Sequence, residues 1–206
     1  MIVVRDYDAN WPRFFEVICA HLWPAVGSLV IRADHVGSTS VEGLAAKPII
    51  DIDLVVGAQA QVQPVIEALG TIGYRWRGTL GVPGREAFDA PAASELPAHH
   101  LYLVVEDNKA HQDHYLLRDL LRGDADARRR YGELKRRNAE EAGGDMDRYL
   151  AAKAGLVAEL LTRARQERGL PPATYWDPGR GVRRLAVAGH EQDLPAADRT
   201  AQGGDR

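Results

Sequence analysis

The sequence predicts an α+β fold, with a mixed β-sheet flanked by helices and a helical extension after it. Up to about residue 108, short β-branched runs alternate with amphipathic helical patterns, as in sheets that carry helices on their faces. The most aliphatic run, "KPIIDIDLVV", is interrupted by Asp51 and Asp53. Residues 110–168 lack proline and show helical periodicity, which indicates a separate helical layer.

Composition limits the function classes. The chain has 206 residues, of which 45% are apolar and 27% charged, as in an ordinary globular domain. A net charge of -3 argues against a general nucleic-acid binder, because such domains carry a large positive excess. The single cysteine excludes an internal disulfide. No apolar run approaches the ~20 residues that span a bilayer, and no signal peptide is recognisable, so we expect a cytoplasmic protein without a membrane partner.

The elements of the α/β part follow from local signals. Residues 10–26 are predicted to form a helix, since Asn10 is a suitable N-cap and Pro12 fits the first turn. A helical turn is allowed over residues 41–46, and a second helix is predicted over residues 59–70. Strands are predicted over residues 28–36, 47–56, 74–77, 85–89 and 100–105, separated by Gly- and Pro-rich loops.

Two or three helices are predicted in the extension, with breaks near Asp124 and Asp145, which are good helix-start residues. From Pro171 onward the periodicity disappears and Pro, Gly, Asp and Gln dominate. We therefore expect one domain and a flexible tail. The predicted boundaries are 1–108 for the α/β core, 109–168 for the helical extension of the same 1–168 domain, and 169–206 for the tail.

The two aspartates pose an electrostatic problem. Alternate side chains of a strand share a face, so Asp51 and Asp53 point to one side while Ile50, Ile52 and Leu54 point into the core. Carboxylates roughly 6.5–7 Å apart along a strand repel each other unless they are solvated or neutralised. A strand with one face in solvent is one explanation. Because the run is otherwise aliphatic, a divalent cation shared with phosphate oxygens is the natural neutraliser.

A "GSTS" loop precedes this strand. Gly37 allows a close approach of the backbone to a ligand, and Ser38, Thr39 and Ser40 offer hydroxyls and consecutive N–H groups to an anion. A serine-rich cap without a ligand is the alternative interpretation. The glycine spacing fits neither a Walker A loop nor a dinucleotide fingerprint, so neither site is predicted.

The loop and the aspartates together resemble a known signature. "HVGSTSVEGLAAKPIIDIDLVV" contains a hydrophobic-Gly-Ser motif, which is followed after twelve residues by an Asp-hydrophobic-Asp-hydrophobic motif. This arrangement is similar to the pattern of the DNA polymerase beta-like nucleotidyltransferase superfamily. More narrowly, it resembles the GrpB family. The segments "YDANWPRFF", "PGREAF", "HHLYLVV", "LLRDLLRGDADARRRYGELKRR" and "YLAAKAGLVAEL" match that family's pattern in order, over roughly residues 5–165.

The resemblance implies a nucleotidyltransferase-like sheet and a Mg²⁺-dependent activity, with Mn²⁺ as the other candidate metal. Asp51 and Asp53 would bind the metal and act in catalysis, and a nucleoside triphosphate would donate its nucleotidyl group to an unknown acceptor with release of pyrophosphate. Active members carry a third carboxylate on a neighbouring strand. "HHLYLVV" has none in mid-strand, and Tyr102 stands where the family commonly has a second histidine. Asp89 and Glu106, which lie at strand ends, are the candidates to replace this third carboxylate.

Other polar residues are candidates for the same site. His100 is predicted to act as a metal ligand or proton acceptor beside the aspartates, whereas structural roles are predicted for His111 and His114. Five basic residues are candidate phosphate ligands, since guanidinium and ammonium groups bind phosphate. They are Lys47, Arg85, Arg118, Arg122 and Lys135.

Two alternatives to a transferase stay open. The first is a catalytically attenuated module that binds a nucleotide or a CoA-related ligand with the same fold, which the missing third carboxylate favours. The second is a nucleic-acid adaptor that uses residues 118–137, where eight Lys/Arg face four acids; the negative total charge argues against it. A homodimer is compatible with the sequence.

Overall fold

The computed structural model describes residues 2–92, 94–172, 174–177 and 181–184. Its main sheet has five strands and is accompanied by five α-helices, which confirms the predicted α+β class. The strands are β1 (Arg32–Val36), β2 (Ile50–Val56), β3 (Arg75–Trp76), β4 (Arg85–Asp89) and β5 (His99–Val105). The helices are α1 (Trp11–Val26), α2 (Val62–Thr71), α3 (Lys109–Gly123), α4 (Ala125–Glu141) and α5 (Met146–Glu167).

The sheet is mixed, and its strand order is β1-β2-β5-β4-β3. β2 and β5 are parallel, whereas the other neighbouring pairs are antiparallel. The register sets Asp51 beside His100 and Asp53 beside Tyr102. On the other edge of β2, Asp34 of β1 is the partner of Asp53. Because paired residues share a face of the sheet, these side chains lie on one side of it.

Each face of the sheet meets a different layer. Ile50, Ile52 and Leu54 are fully buried on the first face, in a core built with α1 and α2, as the alternation of β2 predicts. The opposite face, which carries the aspartates, is covered by the helical extension. A second apolar cluster joins α3, α4 and α5 to residues that follow the serine loop, including Val41 and Leu44.

Several boundaries differ from the prediction. β1 begins at Arg32 rather than at residue 28, because the backbone N–H groups of Leu29 and Val30 donate to Val26 at the end of α1. A 3-10 turn forms over Ser38–Ser40 instead of a helical turn over residues 41–46. The extension consists of three helices, and both predicted breaks are confirmed. Asp124 and Asp145 accept backbone hydrogen bonds as N-caps of α4 and α5.

The last described residues form two short strands, β6 (Thr174–Asp177) and β7 (Gly181–Arg184), which pair antiparallel. Residues 185–206, which belong to the predicted tail, lie outside the described residues. Among the helices that are described, none is both long and apolar enough to cross a bilayer.

Ile18 tests the packing of α1 against the sheet, because it is fully buried while its neighbour Val17 is 44% exposed. We expect Ile18→Ala to lower the free energy of unfolding by about 2–5 kcal/mol, measured by urea denaturation. Val17→Ala is the matched control and should change it by less than about 0.5 kcal/mol. Equal losses in the two variants would contradict this packing.

Candidate functional site

A cavity of about 440 Å³ lies between the aspartate face of the sheet and the helical extension. Its lining combines the glycine-serine loop, the middle of the sheet and helices α3, α4 and α5. Besides Gly37, the lining includes the polar residues Ser38, Asp51, Arg85, Tyr102, Asp113, His114, Arg118, Tyr131 and Lys153. A second depression of about 570 Å³ lies where α3 and α4 meet the end of α5, and it contains none of the predicted site residues.

Gly37 allows the loop to touch the first aspartate. Its φ of 66° and ψ of -170° are conformations that essentially only glycine adopts. A Cβ atom at this position would also collide with the Asp51 carboxylate, chiefly with Oδ2. The glycine is therefore required both for the backbone conformation and for the contact between loop and strand.

The three hydroxyls of the loop do different things. Ser38 lines the cavity. The buried Thr39 hydroxyl instead donates to the Ile49 carbonyl at 3.3 Å, and it lies 3.0 Å from Nε2 of His35. The Ser40 hydroxyl donates to the Gly37 carbonyl at 2.6 Å. Of the three candidate phosphate-binding side chains, only Ser38 faces the cavity; the other two brace the turn.

Each predicted metal-binding aspartate has a histidine partner. His100 Nδ1 lies 2.9 Å from Asp51 Oδ1, across the parallel β2–β5 pair. Asp53 is fully buried, and His114 Nδ1 lies 3.0 and 2.8 Å from its two carboxylate oxygens. Burial opposes the charged imidazole, but the charge of Asp53 and its hydrogen bond outweigh burial and raise the pKa of His114 above 6.5. His114 therefore pairs with a buried carboxylate and also lines the cavity.

No carboxylate occupies the middle of β5. Tyr102 stands beside Asp53, and burial, followed by the charge of Asp51, raises the pKa of its hydroxyl to about 12. Both substitutes at strand ends are paired elsewhere: Asp89 accepts from Arg77 at 2.8 Å, and Glu106 accepts from Arg32.

Asp113 of α3 is an acid at the cavity that the sequence did not reveal. It accepts from Arg165 Nη1 at 2.7 Å. This carboxylate therefore already has a cationic partner.

These residues do not fit a two-metal centre. Within the described part of the chain, no group of three His, Cys, Asp or Glu side chains is arranged to hold a metal ion. Mg²⁺ requires near-octahedral oxygen coordination, usually from one or two carboxylates and phosphate oxygens. Asp53 is shielded by His114, which leaves Asp51 as the carboxylate available for such a contact.

Cationic side chains are more plentiful at the cavity than the predicted metal ligands. The Arg85 guanidinium stacks on the Tyr102 ring at 4.3 Å, and its buried Nε has no hydrogen-bond partner among the described residues. Lys153 of α5, which the sequence did not single out, lines the cavity. Burial lowers the pKa of Lys153, while the charge of Asp51 acts in the opposite direction.

Lys135 lies behind the cavity wall. It is 2% exposed, and its Nζ sits 4.5 Å from the centre of the Tyr131 ring without a hydrogen-bond partner in the described structure. Burial, followed by the charge of Lys153, lowers its pKa well below 10.5. Lys47 is turned away: its Nζ contacts the Met146 sulfur at 3.7 Å.

The two predicted arginines of α3 hold the loop in place. Arg118 lines the cavity, and its Nη1 donates to the His35 carbonyl at 3.2 Å. Arg122 donates through Nε and Nη2 to the Ser40 carbonyl, at 3.1 and 2.7 Å. These bonds fix the helical extension to both ends of the turn, so Arg122 positions the loop instead of lining the cavity.

The fold and site define a class of protein: an α+β domain in which a glycine-serine turn abuts paired aspartates under a helical cover. The model of the family described as GrpB protein matches residues 1–163. The chain belongs to the GrpB family.

Known relatives agree with this assignment. A UPF0157 protein of Streptomyces coelicolor is 34% identical over 163 residues, which cover 79% of this chain and 84% of that protein. A protein of Mycolicibacterium paratuberculosis named dephospho-CoA kinase is 30% identical over 181 residues, covering 76% of this chain and 44% of that protein. The crystal structure of the conserved protein GrpB from Enterococcus faecalis superposes with a TM-score of 0.72 at 27% identity, covering 81% and 99% of the two chains.

Gly37→Ala tests the contact between loop and strand. Gly43→Ala is the matched control. The φ of Gly43 is also positive, but the nearest atom to an added Cβ is Arg128 Nε, 3.8 Å away. Both variants should lose about 1–2 kcal/mol for the left-handed backbone, and Gly37→Ala should lose more because its Cβ displaces Asp51. Urea denaturation of both variants measures the difference. A loss at Gly37 no larger than at Gly43 would refute the steric argument.

His35 makes stability depend on pH. Its ring stacks on Phe15 at 4.9 Å, and burial lowers its pKa from 6.5 to about 4, although Asp51 opposes the shift. As the pH falls from about 6.5 to about 4, the unfolded state takes up a proton that the folded state does not, and stability decreases. We expect the His35 ring signals to titrate near pH 4 in NMR spectra. As the pH falls, the stability of His35→Gln should decrease less than that of the wild type. A midpoint near the unperturbed value would contradict this prediction.

Proposed function

We propose that the cavity binds a nucleoside triphosphate or a related phosphorylated ligand, with its phosphates between the Gly37–Ser38 turn and the basic residues. One observation carries the proposal: the Arg85 side chain lines the cavity, and its buried Nε has no hydrogen-bond partner among the described residues. A buried polar group without a partner costs about 1–3 kcal/mol. An anionic ligand that accepts from this group would remove that cost.

The charges around the cavity support an anionic ligand. Arg85, Arg118 and Lys153 line it, and Nε of Arg118 is paired with Asp119 at 2.8 Å. Of the two lining carboxylates, Asp113 is likewise bonded to Arg165. Arginine side chains bind phosphate through two parallel hydrogen bonds, which gives both affinity and orientation. The backbone of the turn adds N–H groups to this set.

The rest of the ligand would meet an apolar wall. One face of α5 presents aliphatic side chains at helical spacing, and α3 adds others across the cavity. Such a wall suits a base, a ribose edge or an aliphatic group and offers no hydrogen bond to choose among bases. The residues are Leu150, Ala154, Val157 and Leu161 of α5, with Leu117 and Leu121 of α3.

Mg²⁺-dependent nucleotidyl transfer to an unknown acceptor is the second candidate function. The observation that favours it is the direct contact between Asp51 and the glycine of the turn, which would set a bound phosphate next to a carboxylate. The name of the Mycolicibacterium relative adds CoA-related nucleotides to the ligands worth testing. Pyrophosphate release that needs Mg²⁺ and disappears in Asp51→Asn would favour transfer over binding alone.

Arg85→Gln tests the proposed binding. Isothermal titration with ATP and with dephospho-CoA should show saturable binding to the wild type. Loss of a hydrogen bond to a charged group should weaken the affinity of the variant by about tenfold or more.

Arg129→Gln is the matched control, since Arg129 is an exposed arginine of α4 that pairs with Asp126 and Glu133. It should bind as tightly as the wild type. Equal affinity of Arg85→Gln and the wild type would refute the assigned role of Arg85.

A further inference from the structure

We infer that this cavity binds its phosphorylated ligand without a divalent cation, because histidine side chains of the protein itself pair with both aspartates. The inference rests on the proposed function and specifies how the same site meets the charge of its ligand. It separates this chain from the metal-dependent chemistry that its sequence signature suggests.

The first step concerns Asp53. It is fully buried, and a single nitrogen, His114 Nδ1, lies within hydrogen-bonding distance of both its oxygens. A metal ion at this carboxylate would have to displace His114, which α3 holds against the sheet. The partner on β1, Asp34, is itself bonded to His111 at 3.0 Å and to Arg32, so it offers no free carboxylate nearby.

The second step concerns Asp51. His100 contacts its Oδ1, and Oδ2 faces the backbone of Gly37. A carboxylate held by His100 on one oxygen and by the turn on the other has a fixed position without a cation.

The third step concerns the ligand's charge. With Asp51 and Asp53 already paired, Arg85, Arg118 and Lys153 remain at the cavity to meet the phosphates. In metal-dependent sites the cation provides this compensation, and it is held by carboxylates that converge on it. Here Tyr102 occupies the strand position beside Asp53, and Arg85 covers its ring.

Isothermal titration with inorganic triphosphate tests the inference, once in EDTA and once in excess Mg²⁺. We expect saturable binding in EDTA that excess Mg²⁺ does not strengthen, because Mg²⁺ complexes triphosphate in solution and lowers its charge. In EDTA, Lys153→Met should weaken binding about tenfold, as expected for the loss of one charge-assisted contact. Arg148→Met is the matched control, because Arg148 lies on the exposed side of α5 and should leave binding unchanged.

The outcomes separate the two proposals. Binding that appears only with Mg²⁺ would overturn the inference while leaving the proposed function intact. Absence of binding in both conditions, for triphosphate and for ATP, would overturn both. Binding in EDTA that Mg²⁺ does not strengthen and that Lys153→Met weakens would support both.

A second measurement examines the role of His114 directly. Mn²⁺ binding, followed by electron paramagnetic resonance, should be weak in the wild type and at least about tenfold stronger in His114→Ala, because Asp53 then lacks its partner. His21→Ala removes an exposed histidine of α1, which packs on the other face of the sheet, and should behave as the wild type does. Tight Mn²⁺ binding by the wild type, or no gain in His114→Ala, would overturn the assignment of His114.

Discussion

Burying Asp53 in the central part of the sheet is the constraint on which the rest of the site depends. A buried carboxylate is tolerated only when it is paired and hydrogen-bonded. β2 cannot supply that partner, because its other side chains are aliphatic or, at Asp51, carry the same charge. The partner comes from α3, whose His114 contacts both oxygens. The helical extension is therefore needed electrostatically, in addition to covering apolar surface.

The same helix also sets the shape of the loop. Arg118 and Arg122 bond to carbonyl groups on either side of the glycine-serine turn, while Thr39 and Ser40 fasten it from within. The turn is thus held from both sides, and Gly37 can touch Asp51 in a fixed geometry. In general, backbone N–H groups that are held in a fixed geometry bind anions without the entropy loss of ordering a mobile loop.

Local signals in the sequence were sufficient for much of the fold. The alternation in β2 predicted which side of the strand carries Asp51 and Asp53, and the carboxylate caps predicted both helix breaks. The start of β1 was missed because backbone bonds at the end of α1 decide it. His114 and Lys153 could not be found locally, since their place at the site depends on how α3 and α5 rotate over the sheet. Thr39 and Ser40 looked like ligand groups because sequence shows a hydroxyl but not its direction.

The pairing of Asp53 with His114 also bears on the order in which the chain can fold. During synthesis every strand of the five-stranded sheet has been made once Val105 has been added, yet the imidazole that compensates Asp53 follows nine residues later. Until α3 docks, the face of the sheet that carries Asp53 has no helical cover, so the carboxylate stays in contact with water and needs no partner. Docking of α3 therefore buries the carboxylate and supplies its imidazole partner in the same step, which couples the sheet to its helical cover.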